Sequence, residues 1–149
     1  MPITPIEMAR VSRQRPTREL INHKYLYKLA EWRMAWIETA RPKQLTPIGD
    51  WDNWALVSGR GFGKTRVGAE ESAYVAARNR KWRIAVVAPT QNDCRAICFE
   101  GESGLLNIIP EYFIADYNRS QLELRLINGS LLAGKSAEKP DRLRGPEWH

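Results

Sequence analysis

Ser58-Gly59-Arg60-Gly61-Phe62-Gly63-Lys64-Thr65 is the stretch from which the rest of the chain takes its meaning. Ala55-Leu56-Val57 before it reads as a short apolar strand, and Arg66 to Arg80 after it reads as a helix. A strand passing through a glycine-rich turn into a helix aims several backbone N–H groups and the positive end of the helix at one point. Lys64 then reaches the outer phosphates of a bound nucleotide, and the Thr65 hydroxyl holds Mg²⁺. The usual pattern is G-x-x-x-x-G-K-[ST]. Here Ser58 stands at the first glycine position and the glycine falls one place later, at Gly59. Serine is small enough for the turn, and Gly59 and Gly61 supply further backbone freedom. The competing reading is a flexible connection with a chance Lys-Thr pair. The strand and helix on either side favour nucleotide binding.

Outward from the loop, the order strand, helix, strand, helix predicts an α/β fold of the P-loop NTPase type: three layers around a mainly parallel sheet, preceded by an N-terminal helix. Arg83-Ile84-Ala85-Val86-Val87-Ala88 reads as a strand buried on both faces. Asn92 or Asp93 then caps a helix to about Glu100. Gly101 to Tyr117 is mixed, with Leu105, Leu106, Ile108 and Ile109 in a short buried helix or turn. Gln121–Ile127 and Ser130–Ala133 form a hairpin about Asn128-Gly129, and Gly134–His149 reads as loop. Upstream, Thr17 caps a helix running to about Thr39, whose residues Ile21, Tyr25, Leu29, Trp32 and Trp36 make one apolar stripe for packing. Residues 1–16 form a basic flexible arm, and residues 17–149 are the folded part.

The chain has 149 residues, a size for one domain with a real core, and a formal net charge of +6. That charge points to a polyanion partner without proving one. No apolar run approaches the ~18 residues of a membrane span, and the arginine-rich N-terminus lacks the apolar core of a signal peptide. Cys94 and Cys98 are the only cysteines. A shared metal competes with two buried, reduced thiols, and the distance in sequence of His23 and His149 favours the thiols. A nucleotide hydrolase of this type also needs a strand ending in an acidic residue. No such strand follows Lys64, and Asp93 and Asp116 read as cap or surface carboxylates.

Three stretches carry a family resemblance: Ala40-Arg41-Pro42-Lys43-Gln44-Leu45 with Gly49-Asp50-Trp51, the loop Ser58–Arg66 with Gly68-Ala69-Glu70, and Ser136–Pro146. Together they resemble the N-terminal part of terminase large subunits of tailed phages, the ATP-driven motors that package DNA, and most nearly the prophage and gene-transfer-agent type. The resemblance implies that Ser58, Gly59, Arg60, Gly61, Phe62, Gly63, Lys64 and Thr65 hold ATP and its Mg²⁺, and that Gln44 contacts adenine. Lys64 would be catalytic. Arg60 would contact phosphate or couple hydrolysis to movement, against the plainer role of a solvated loop charge. Arg144, or else Arg142, would reach a neighbouring subunit's γ-phosphate in a ring, against the alternative of touching the DNA backbone or water. The implied partners are double-stranded DNA, the terminase small subunit, the procapsid portal and further copies in a homo-oligomeric ring, in the cytoplasm of a bacterial host and away from membranes. The family's acidic strand would begin just after His149 and its nuclease domain much later, so the expectation is an incomplete ATPase domain with no nuclease domain. The rival expectations are a non-catalytic nucleotide- or DNA-binding remnant of a decayed prophage gene, or a helicase-like P-loop ATPase.

Overall fold

The computed structural model of this chain describes residues 18–144 and 147–149. The arm expected over residues 1–16, the Thr17 cap, the Gly145-Pro146 step and the side chains of residues 18–21 and 142 lie outside the described residues.

Among the described residues the first helix, α1, spans Arg18–Thr39. Its expected stripe does pack inward: Leu29 and Trp36 are buried, and Tyr25 and Trp32 place their rings 5.2 and 5.4 Å from that of Phe113. The Tyr25 hydroxyl donates to the Ala77 carbonyl at 2.6 Å, and Arg33 grips Glu71 through two bonds of 2.7 and 3.2 Å. These contacts fix α1 against α2, Lys64–Arg78. Helix α2 turns Ala69, Ala73, Ala76 and Ala77 into the core. Alanine favours the helix and lets its backbone approach closely.

Among the described residues four strands form one sheet in the order β1-β4-β3-β2. They are β1 (Arg83–Ala88), β2 (Ile114–Asn118), β3 (Glu123–Leu126) and β4 (Leu131–Ser136). Only β1 and β4 run parallel. The β2–β3 and β3–β4 pairs are antiparallel, so the fold is α/β but the sheet is mixed, and the expectation of a mainly parallel one is corrected. The turn over residues 119–122 reverses β2 into β3 and the Asn128-Gly129 turn reverses β3 into β4, and a tight turn can only join antiparallel strands.

Smaller expectations also change. Ala55-Leu56-Val57 joins no ladder among the described residues, and Val57 is 93 % exposed. One side of β1 is taken by β4, and on its other edge the His149 N–H donates to the Arg83 carbonyl at 2.9 Å. Strand β1 is buried only at Ala88 and leaves Val87 exposed, so it is not covered on both faces. After β1, Thr90 is the cap in place of Asn92 or Asp93: its hydroxyl accepts the Asp93 N–H at 3.0 Å and donates to the Asp93 carboxylate at 2.7 Å. The helix α3 that it opens is a single α-turn, Gln91–Asp93, which passes into a π-helical stretch, Cys94–Phe99. A short α4, Leu105–Ile108, is the last α-helix among the described residues. Beyond β4, which takes in Gly134–Ser136 from the expected tail loop, Pro140–Leu143 makes a 3-10 turn. The core lies between α2, the Cys94–Phe99 stretch, α4 and the sheet, with Phe99, Phe113, Leu105, Leu124 and Leu132 almost fully enclosed.

Candidate functional site

The loop that opens α2 is shaped by two glycines in the left-handed region, Gly61 at φ +74° and Gly63 at φ +89°. Other residues avoid that region, so the turn depends on them. Gly63 is the N-cap of α2, and the first helical bond runs from the Val67 N–H to the Gly63 carbonyl at 3.0 Å. The amides of Lys64, Thr65 and Arg66 precede that bond and have no carbonyl one turn back within the helix. They stand at its positive end. The Lys64 ammonium lies back over the loop, donating to the Ser58 and Gly59 carbonyls at 2.8 Å each.

Behind the loop, the Arg41–Leu45 turn supports it. Gln44 is buried, donates from Nε2 to the Phe62 carbonyl at 2.6 Å and accepts the Arg41 N–H at 2.8 Å. The Arg41 guanidinium sits 5.4 Å above the Phe62 ring.

In front of the loop lies a cleft of ≈ 500 Å³ lined by residues 60–66 on one side. Ala96, Ile97, Gly101, Glu102 and Ser103 line the other. The far wall follows from the π-helical stretch and from a tight turn after it, where a Cβ at Gly101 would come within 2.8 Å of the Ala96 and Ile97 carbonyls. Arg60, Lys64 and Arg66 bring three cations to the cleft against the one carboxylate of Glu102. Arg66 is engaged by Glu70, its Nη2 2.7 Å from the Glu70 Oε1. Glu70 is 3 % exposed, and burial raises its carboxyl above the ordinary range although the bond to Arg66 pulls the other way. Backbone donors at a helix start, a lysine and an exposed threonine hydroxyl are the groups that a phosphate and its metal require.

Of the residues singled out from sequence, Arg60, Gly61, Phe62, Gly63, Lys64 and Thr65 meet at the cleft, and Ser58 and Gly59 touch it through Lys64. Gln44 stands behind the loop. Arg144 does not line the cleft; it is exposed and 3.7 Å from Asp141. The Arg142 side chain lies outside the described residues. The cysteines sit on the π-helical stretch, Cys94 buried and Cys98 only half-buried. Burial pushes the Cys94 thiol up to about 11. Among the described residues no group of three His, Cys, Asp or Glu side chains converges as a metal site, and no described helix is long and apolar enough to cross a membrane. The far wall was missed from sequence. Its only signal was the turn-forming run Gly101-Glu102-Ser103-Gly104, which names a bend but not what the bend faces.

No curated protein and no solved structure matches the chain. A family model does: that of the terminase large subunit, T4likevirus-type, N-terminal, over residues 55–149. This range starts at the approach to the loop and takes in the whole sheet, well over half of the chain. The chain therefore belongs to the terminase large subunit family, in its N-terminal part.

Proposed function

We propose that this chain binds ATP with Mg²⁺ at the Ser58–Thr65 loop and serves as the nucleotide-binding part of a motor that moves double-stranded DNA into procapsids. The observation that carries the reading is the meeting of Gly61, Gly63, Lys64 and Thr65 at the start of α2, on one side of an open cleft. In this reading residues 17–149 are the N-terminal portion of a P-loop ATPase domain. Backbone amides from Gly61 to Thr65 hold the phosphates, Lys64 exchanges the Ser58 and Gly59 carbonyls for phosphate oxygens, and the Thr65 hydroxyl ligates Mg²⁺. Hydrolysis of the bound nucleotide would supply the energy for translocation, with charge in the transition state countered by Lys64 and Arg60. Arg144 or Arg142, at the 3-10 turn after β4, would act on a neighbouring copy in a ring. The small subunit and the procapsid portal are the protein partners this function calls for, in the host cytoplasm.

The test is MgATP binding by calorimetry with the intact chain and with Lys64→Ala. The variant should lose measurable binding while keeping its fold by circular dichroism. Equal affinity in the two would sink the nucleotide reading. DNA binding that survives Lys64→Ala and falls steeply with salt would favour the rival, a charge-driven DNA-binding remnant.

A further inference from the structure

The resemblance assigns Gln44 to the adenine base, yet the side chain is 6 % exposed and both of its polar atoms are bonded to backbone. Its Oε1 accepts the Arg41 N–H at 2.8 Å, and its Nε2 donates to the Phe62 carbonyl at 2.6 Å. The consequence lies in the peptide that this carbonyl belongs to. The Phe62 C=O and the Gly63 N–H share one planar trans unit, in which the two bonds point in opposite directions. Drawing the oxygen toward Gln44 therefore turns the Gly63 N–H away from Gln44, and Gly63, Lys64 and Thr65 line the cleft whereas Gln44 does not. A flipped peptide would present a carbonyl oxygen there and repel an anion. The flip is a real alternative for a glycine, whose backbone tolerates both sets of dihedrals. The same turn also holds the Phe62 ring under Arg41. Space is equally tight, since a Cβ at Gly63 would lie 2.8 Å from the Gln44 Nε2.

We infer that Gln44 is a positioning residue for the phosphate loop: it fixes the Phe62–Gly63 peptide so that the Gly63 N–H serves the anion, and it does not read the base. This rests on the phosphate-binding reading above. Because it acts on the phosphate end, its loss must weaken every ligand with a triphosphate, whether or not a base is attached.

The experiment compares the intact chain with Gln44→Ala and Gln44→Glu, using MgATP, MgGTP and magnesium tripolyphosphate as probes. Gln44→Glu keeps an acceptor for Arg41 and sets a carboxylate against the Phe62 carbonyl, so it isolates the bond in question. Affinity should fall about tenfold for all three probes in Gln44→Ala, as for loss of one strong hydrogen bond, and further in Gln44→Glu. A loss confined to MgATP, with tripolyphosphate binding unchanged, would overturn the inference in favour of base reading, and so would no loss at all. Limited trypsin cleavage supplies a readout without nucleotide. Cutting after Arg60 should speed up in both variants relative to cutting after the exposed Arg119, which controls for general unfolding. Should the intact chain bind none of the probes, the nucleotide reading fails and the cleavage ratio alone decides whether Gln44 holds the loop; an unchanged ratio rejects it.

Discussion

At the scale of single residues, burial and charge compete most plainly at Glu70. Its partner Arg66 is half in solvent, at 43 % exposure against 3 % for Glu70. The desolvation of the carboxylate therefore outweighs the ion pair, and its titration moves up from 4.5. A carboxyl that binds its proton more tightly when folded stabilises the fold fully at pH below about 4.5 and loses that contribution as the pH rises through the raised value. Urea unfolding of the chain and of Glu70→Gln over pH 4 to 8 should show the parent losing ground to the variant as the pH climbs; parallel curves would reject the assignment. Glu100 works in the other direction. Its bonds to Arg119, at 2.7 and 3.1 Å, hold its carboxyl below the ordinary range. None of this is visible in sequence. Lys64 and Thr65 were legible because their spacing after the glycines is itself the signal, whereas the pairing of Gln44 with Phe62 depends on where a turn 18 positions earlier comes to rest.

Among the elements, the β3–β4 hairpin has a second task beyond joining its strands. Asn128, in its turn, donates from Nδ2 to the carbonyls of Ala76, Ala77 and Asn79 at 2.8, 2.9 and 3.1 Å. Ser130 adds a bond to the Asn79 carbonyl and receives the Trp82 N–H. The hairpin thus caps the C-terminal end of the helix whose other end carries the Ser58–Thr65 loop, satisfying carbonyls the helix leaves open. Asn128→Ala should cost about 1–3 kcal/mol in urea unfolding, because the partners are left unmet; a change below ~0.5 kcal/mol would show that solvent replaces the side chain freely. The Asn-Gly pair announced the hairpin in sequence but not the cap. Strand β2 went unread because its exposure shows no clean alternation and Asp116 stands within it. The expected start of β3 moved from Gln121 to Glu123 because Leu122, fully buried, takes a left-handed φ of +52°. In Ala55-Leu56-Val57 the apolar run was real. A strand, however, also needs a neighbour to bond with, and three residues cannot disclose one.

For the molecule as a whole, Phe113 is the point at which α1 meets the core. Its ring is 1 % exposed and contacts Tyr25, Trp32 and Tyr112. Phe113→Ala should therefore lower stability by about 3–5 kcal/mol. Helical circular dichroism and tryptophan fluorescence should still report one shared transition. Two separated transitions would mean that α1 is a free-standing unit. The class of fold was legible from the order of its elements, and so was the Asn128-Gly129 hairpin; the mainly parallel sheet was not borne out, since that hairpin and the turn between β2 and β3 each reverse the chain. The parallel pairing of β1 with β4 has one more consequence. Each β1 residue waits for a partner 48 positions further on, a stretch that a ribosome takes on the order of several seconds to make. During that interval β1 has no strand to lie against, and the hairpin that follows must arrive complete before the older strand can join it. The part of the chain that carries the Ser58–Thr65 loop is thus made before the strand against which β1 settles.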